Sequence, residues 1–188
     1  MPWPELIHAF LWQGGAMTDL GTLGGGWSQA YRNNAQGQIV GASATAAGDL
    51  HAFLWKNGVM TDLGTLGGAE SYALGINALG QVVGASMTIP GNKIHAFLWE
   101  NGTMIDLGTL GGNESYAWAI NNLGQITGYS GTSKGETHAF LWEDGALMDL
   151  GTLGGKYSFA YAINNHGQMV GASYTASREE HACLWTMS

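Results

Sequence analysis

Charge is what this chain has least of: Asp, Glu, Lys and Arg make up 11% of its 188 residues, against roughly a quarter in an ordinary soluble domain. Because 45% of the residues are hydrophobic, so little charge fits a chain that buries surface and folds. Fourteen acids outnumber six bases, and the formal charge of −8 repels the phosphates of nucleic acids and anionic lipid surfaces. Nucleic acid is therefore not expected as a partner. The single cysteine, Cys183, rules out an internal disulfide framework and any multi-cysteine zinc site. No apolar run approaches the roughly 18 residues of a membrane-spanning helix, so no membrane insertion is expected. The opening residues, Met1 to Glu5, show neither the basic nor the apolar region of a signal peptide.

Glycine, by contrast, fills 31 positions without the Gly-X-Y period of collagen, which implies many tight turns. Internal repetition explains where they go. The string His-Ala-Phe-Leu-Trp begins at His8, His51, His95 and His138, and His-Ala-Cys-Leu-Trp begins at His181, so successive copies lie 43, 44, 43 and 43 residues apart. Asp-Leu-Gly-Thr-Leu-Gly-Gly begins at Asp19, Asp62, Asp106 and Asp149. A third string runs from Asn34 to Gln38, Asn77 to Gln81, Asn121 to Gln125 and Asn164 to Gln168. Three strings in register over the whole chain predict one repeat domain.

Each repeat reads as four short antiparallel strands. In the second copy, Ser71 to Asn77 alternates, and Asn77-Ala78-Leu79-Gly80 suits a type I turn closed by a left-handed glycine. Gln81 to Ser86 returns, a variable loop follows, and His95 to Trp99 leads into Asn101-Gly102, a dipeptide suited to a two-residue type I′ hairpin. Four strands in about 43 residues is the size of a propeller blade. The predicted fold is an all-β, four-bladed β-propeller occupying residues 1–188, with repeats at about 27–64, 70–108, 114–151 and 157–185. The N-terminal residues 8–21 complete the ring, Met17 to Gly21 supplying the last blade's fourth strand. An open or domain-swapped repeat array is the alternative. On the long strands one flank is small (Ser71, Ala73, Gly75) and the other bulky (Tyr72, Leu74, Ile76), so bulky is expected to nest on small around the ring with both flanks dry. The strand His8 to Trp12 then duplicates the place of His181 to Trp185, and a homo-oligomer formed through this surplus strand is an expected mode of association.

At these motifs the sequence resembles the HAF-repeat family, extracellular bacterial repeats named for the tripeptide. The resemblance implies an exported or cell-surface protein and no defined chemistry.

The repeated polar residues read as structural. His51 falls diagonal to Asp62 across its hairpin, within reach of a side-chain hydrogen bond, and no metal-binding spacing accompanies the histidines. The aspartates precede a glycine-rich bend whose N–H groups they are placed to accept. Trp12, Trp55, Trp99, Trp142 and Trp185 read as core. No metal and no cofactor is expected. A site is expected instead where the copies differ. Arg32 stands where the others have Gly75, Ala119 and Ala162, and Asn33 where they have isoleucine. Arg32 is expected to point into the central opening, the alternative being that the first repeat packs poorly or pairs with a terminal segment. Arg32, Asn33, Trp118 and Tyr161 are the candidate binding residues, and catalytic residues are not assignable. The leading function is a module binding a small molecule, glycan or protein, helped by the variable loops Ala44 to Leu50, Met87 to Ile94, Gly131 to Thr137 and Tyr174 to Glu180. The alternatives are a hydrolase, possibly metal-assisted, acting at the axis with Arg32, a histidine and an acid, and a purely structural repeat unit.

Overall fold

Residues 6–91 and 93–187 are described by a computed structural model, and every regular element among them is a β-strand. A hairpin, β1 (Phe10–Gln13) and β2 (Ala16–Asp19), precedes three four-stranded repeats. The first is β3 (Gly24–Asn33), β4 (Ile39–Thr45), β5 (Leu50–Lys56) and β6 (Val59–Asp62). The second is β7 (Gly67–Ile76), β8 (Val82–Thr88), β9 (Ile94–Glu100) and β10 (Thr103–Gly108), and the third is β11 (Gly111–Ile120), β12 (Ile126–Thr132), β13 (Thr137–Glu143) and β14 (Ala146–Asp149). A fourth unit contributes β15 (Gly154–Ile163), β16 (Met169–Thr175) and β17 (Glu180–Trp185).

The turn chemistry read from the sequence is the turn chemistry observed. Asn57 and Gly58 both have positive φ, 51° and 85°, as a type I′ turn requires. At the longer turn, Gly80 has φ 82° and its N–H donates to the Asn77 carbonyl at 3.2 Å. The long strands begin earlier than the alternation suggested, because the Gly-Gly pair of each connection is already in the ladder. They also carry a bulge, since the register steps from Ala73↔Gly84 to Gly75↔Val83 and leaves Leu74 as the extra residue. Tyr31, Trp118 and Tyr161 occupy the same bulged place. The bulge makes Gly84 obligatory, because a Cβ there would collide with the Tyr72 carbonyl oxygen.

Within a repeat, pairing is antiparallel. Between repeats, one parallel pair, Leu50↔Glu70, brings β5 alongside β7, and Ile94 with Glu114 and Thr137 with Tyr157 repeat it. The cores lie across these junctions. Val40, Ala52, Leu54 and Leu63 of one repeat form a buried cluster with Ala73, Val82 and Phe97 of the next. Polar rungs run beside them: Asn34 Nδ2 donates to the Asn77 carbonyl, Asn77 to that of Asn121 and Asn121 to that of Asn164, each at 2.9 Å.

The expected ring closure by residues 8–21 does not form. Residues 16–19 pair instead with 10–13, as Phe10↔Asp19 through Gln13↔Ala16, and β17 pairs with β16. Among the described residues no strand pairing joins β17 to β1, β2 or β3, so the path has two ends. The reason is local. Gly14-Gly15 folds β1 and β2 into the same hairpin as β5 and β6, and Ile7 bridges to Trp27 just as Leu50 pairs with Glu70. Residues 10–13 and 16–19 thus stand beside β3 as β5 and β6 stand beside β7. Nor are both flanks of the long strands dry: Tyr72, Leu74 and Tyr116 are half-buried, and Tyr161 is 51% exposed.

Three substitutions test this framework. Asn121→Ala removes a rung to the next repeat together with three bonds inside its own turn, whereas the Asn164 side chain bonds only within its turn. Urea denaturation should show a loss of about 2–3 kcal/mol for Asn121→Ala and about 1 kcal/mol for Asn164→Ala, and equal losses would mean the rung contributes nothing. Gly84→Ala should cost about 3 kcal/mol through overpacking.

Candidate functional site

Most polar side chains shared by the repeats are bound to their own framework. His51 Nδ1 lies 2.9 Å from Asp62 Oδ2, and the pairs His8 with Asp19, His95 with Asp106 and His138 with Asp149 repeat the contact at 2.8, 2.9 and 2.9 Å. Each aspartate also accepts the N–H two residues on, as at Gly64 and Gly108. At Asp19 the His8 hydrogen bond and then the Gly21 N–H hold the carboxyl below its ordinary value. Four histidines and four aspartates are thereby engaged as the hairpin geometry of the sequence implied. Among the described residues no cluster of three or more His, Cys, Asp or Glu is placed to hold a metal ion.

The four candidate residues fall in two places. Arg32 and Asn33, exposed at the end of β3, line an open cleft of about 260 Å³ with Phe10, Trp12 and Tyr31. Arg32 Nη1 donates to the Tyr31 carbonyl at 2.9 Å. Of the two placements expected for Arg32, the structure has it beside the N-terminal hairpin. Trp118 and Tyr161 occupy equivalent bulge positions on β11 and β15, and the Trp118 indole N–H is out of water without a partner.

Tyr161 belongs to a larger aromatic surface. Tyr116 stacks on Tyr129 with centroids 5.1 Å apart, Tyr129 meets Phe159 edge-on at 5.2 Å, and Phe159 stacks parallel to Tyr161 at 6.3 Å. Tyr129 is the member that the repeat does not supply, since its register-equivalents opposite Gln29, Tyr72 and Phe159 are Ala42, Ala85 and Ala172. Phe159 and Tyr161 lie two apart on one strand, so their side chains share a face and stack. Partial desolvation dominates the chemistry of the row: burial pushes the hydroxyls of Tyr31, Tyr72 and Tyr116 up from the ordinary value, and burial together with the Tyr116 charge pushes Tyr129 up to about 12. Tyr72 additionally donates to Glu70 Oε2 at 2.8 Å.

No family model matches this chain, and no curated protein matches it. The sequence singled out Trp118 and Tyr161 but passed over Tyr129, although alanine in the other three copies marked it as a departure of the same kind as Arg32. It also passed over a second cleft, at the start of β15, lined by Lys156, Tyr157, Tyr174 and Arg178.

The tyrosines give a pH test. A hydroxyl whose folded pKa exceeds its unfolded value near 10 keeps its proton longer in the folded state, so its contribution is complete below pH 10 and is lost as pH rises toward 12. Tyrosinate absorbance of the folded protein should lag behind that of the urea-unfolded chain across this window, with stability falling in parallel. Tyr129→Phe should flatten the fall; an unshifted absorbance curve would place these rings in bulk water.

Proposed function

We propose that the chain is a binding module of an extracellular, HAF-type repeat protein, built as an open arc of four blade-like units. The observation that supports this reading is the half-exposed row Tyr116, Tyr129, Phe159 and Tyr161, assembled where the copies diverge from one another. Aromatic rings offer a large contact area at little cost in side-chain entropy, and a monomeric surface rarely leaves such an apolar strip uncovered without a use. The partner is an extended glycan whose sugar rings lie along the strip, their apolar C–H faces on the aromatic faces. The rigid strands below hold the rings in place, so little ordering accompanies binding.

Arg32 and Asn33 form a lesser part of this reading, since their cleft lies against β1 and β2. No observation favours the hydrolase alternative: the repeated histidines are held by aspartates of their own hairpins, and Arg32 donates to a neighbouring carbonyl.

The test uses immobilised polysaccharides and two proteins, the parent and Tyr129→Ala. Alanine is what the other three repeats carry at this place, so the variant should melt within a few degrees of the parent. Retention on at least one neutral polysaccharide should fall about tenfold, the scale of a lost stacking contact of roughly 1.4 kcal/mol. Retention by neither protein, or equal retention by both, would leave the row a structural feature and the chain a structural repeat unit.

A further inference from the structure

The cleft at the start of β15 departs from the repeat at four places at once. Lys156 stands where the other copies have Gly26, Ala69 and Asn113, and Tyr157 where they have Trp27, Glu70 and Glu114. Tyr174 replaces Ala44, Met87 and Gly131, and Arg178 replaces Gly48, Gly91 and Gly135. These four side chains converge on one open cleft of about 620 Å³, floored by Gly154 and Gly155. Two of the protein's six basic residues line it, and neither is ion-paired among the described residues.

Arg178 sits at φ 68°, a left-handed conformation that the turn demands and that the glycines of the other copies adopt without strain, with φ of 94°, 112° and 76°. A side chain held in that region marks a place where something besides the turn is being served. Tyr157 and Tyr174 meet edge-to-face with centroids 5.9 Å apart, and both line the cleft. The nearby carboxylates are engaged: Glu180 accepts from the Tyr174 hydroxyl at 3.0 Å and Glu179 from the Ser177 hydroxyl at 2.9 Å. They also keep the local field modest, which suits a ligand with one negative charge and not a polyphosphate.

We infer that this cleft binds an acidic sugar, a uronic acid unit, with its carboxylate on Arg178 and Lys156 and its ring against Tyr157 and Tyr174. Guanidinium matches a carboxylate with two parallel N–H donors, and Lys156 adds a second charge. The apolar face of the pyranose lies on an aromatic ring. The inference is independent of the Tyr116 to Tyr161 row, which holds no cation.

The experiment is calorimetric titration, at low and moderate salt, with a glucuronate-containing disaccharide, its neutral glucose counterpart, and acetate. The glucuronate should bind at least tenfold more tightly than either of the others and weaken as salt rises. Arg178→Gly installs the residue that the other three repeats use, so it should melt at the same temperature or higher while losing about tenfold in glucuronate affinity. Tyr129→Ala should leave this affinity unchanged, which separates the two sites. Equal binding of the glucuronate and the neutral sugar, acetate binding as tightly as the glucuronate, no binding of any probe, or an Arg178→Gly variant that binds as well as the parent would each overturn the assignment.

Discussion

At every junction one buried serine hydroxyl joins two repeats, and the array depends on it. Ser71 Oγ accepts the Ala52 N–H at 2.8 Å and donates to the Gly64 carbonyl at 2.6 Å, so the long strand of one repeat satisfies both strands of the hairpin before it. Ser28, Ser115 and Ser158 do the same for their neighbours. All four are fully buried or nearly so, where a backbone N–H or C=O left without a partner would cost about 1–3 kcal/mol. One small hydroxyl thus fixes the distance between repeats, and the apolar contacts of Leu54, Ala73, Val82 and Phe97 close around that fixed distance. A single repeat could not bury its own surface; stacked neighbours bury it for each other.

The same economy explains the ends. Val170 and Leu184 are 49% and 61% exposed, although their equivalents Val83 and Leu98 are buried by the next repeat. At the other end Trp12 is 64% exposed, whereas Trp55 is buried. Each face of a repeat is therefore a half-interface, defined by what stacks on it.

The local levels of this fold were legible in the sequence because short-range chemistry sets them. Asn57-Gly58 can hardly avoid a type I′ turn, and that turn brings His51 to Asp62. Closure was not legible, because the rotation from one repeat to the next is set by contacts of a few tenths of an ångström. A Cβ at Gly75 would stand 2.8 Å from Val83 Cγ2 and 3.0 Å from the Trp118 carbonyl, so glycine there lets β7 and β11 approach closely. The bulge at Leu74 was hidden for a different reason: the small and bulky residues go on alternating through it, and nothing in their spacing shows that one residue has lost its partner across the strand. The bulky flank is open to water, and Tyr72 and Tyr116 are half-buried on it.

This exposure bears on where function can reside. The residues repeated in every copy are consumed by the scaffold: serine at the junction, asparagine in the rungs, histidine and aspartate in the hairpin, glycine opposite the bulge. What is left for recognition is what one repeat has and the others lack, and there the departures are directional. Tyr129 adds a ring beside the rings already present on its flank, and Tyr157 puts another where two copies have a carboxylate. Arg178 puts a cation where every other copy has glycine, at the expense of backbone strain. Random drift on a solvated turn would sooner give a small polar residue at a left-handed position than an arginine, and would not add two rings and a lysine around the same cleft. A scaffold whose common residues are fully committed can acquire binding chemistry only by such local exceptions, and in this chain the aromatic and cationic exceptions, Arg32 apart, gather in the third and fourth units.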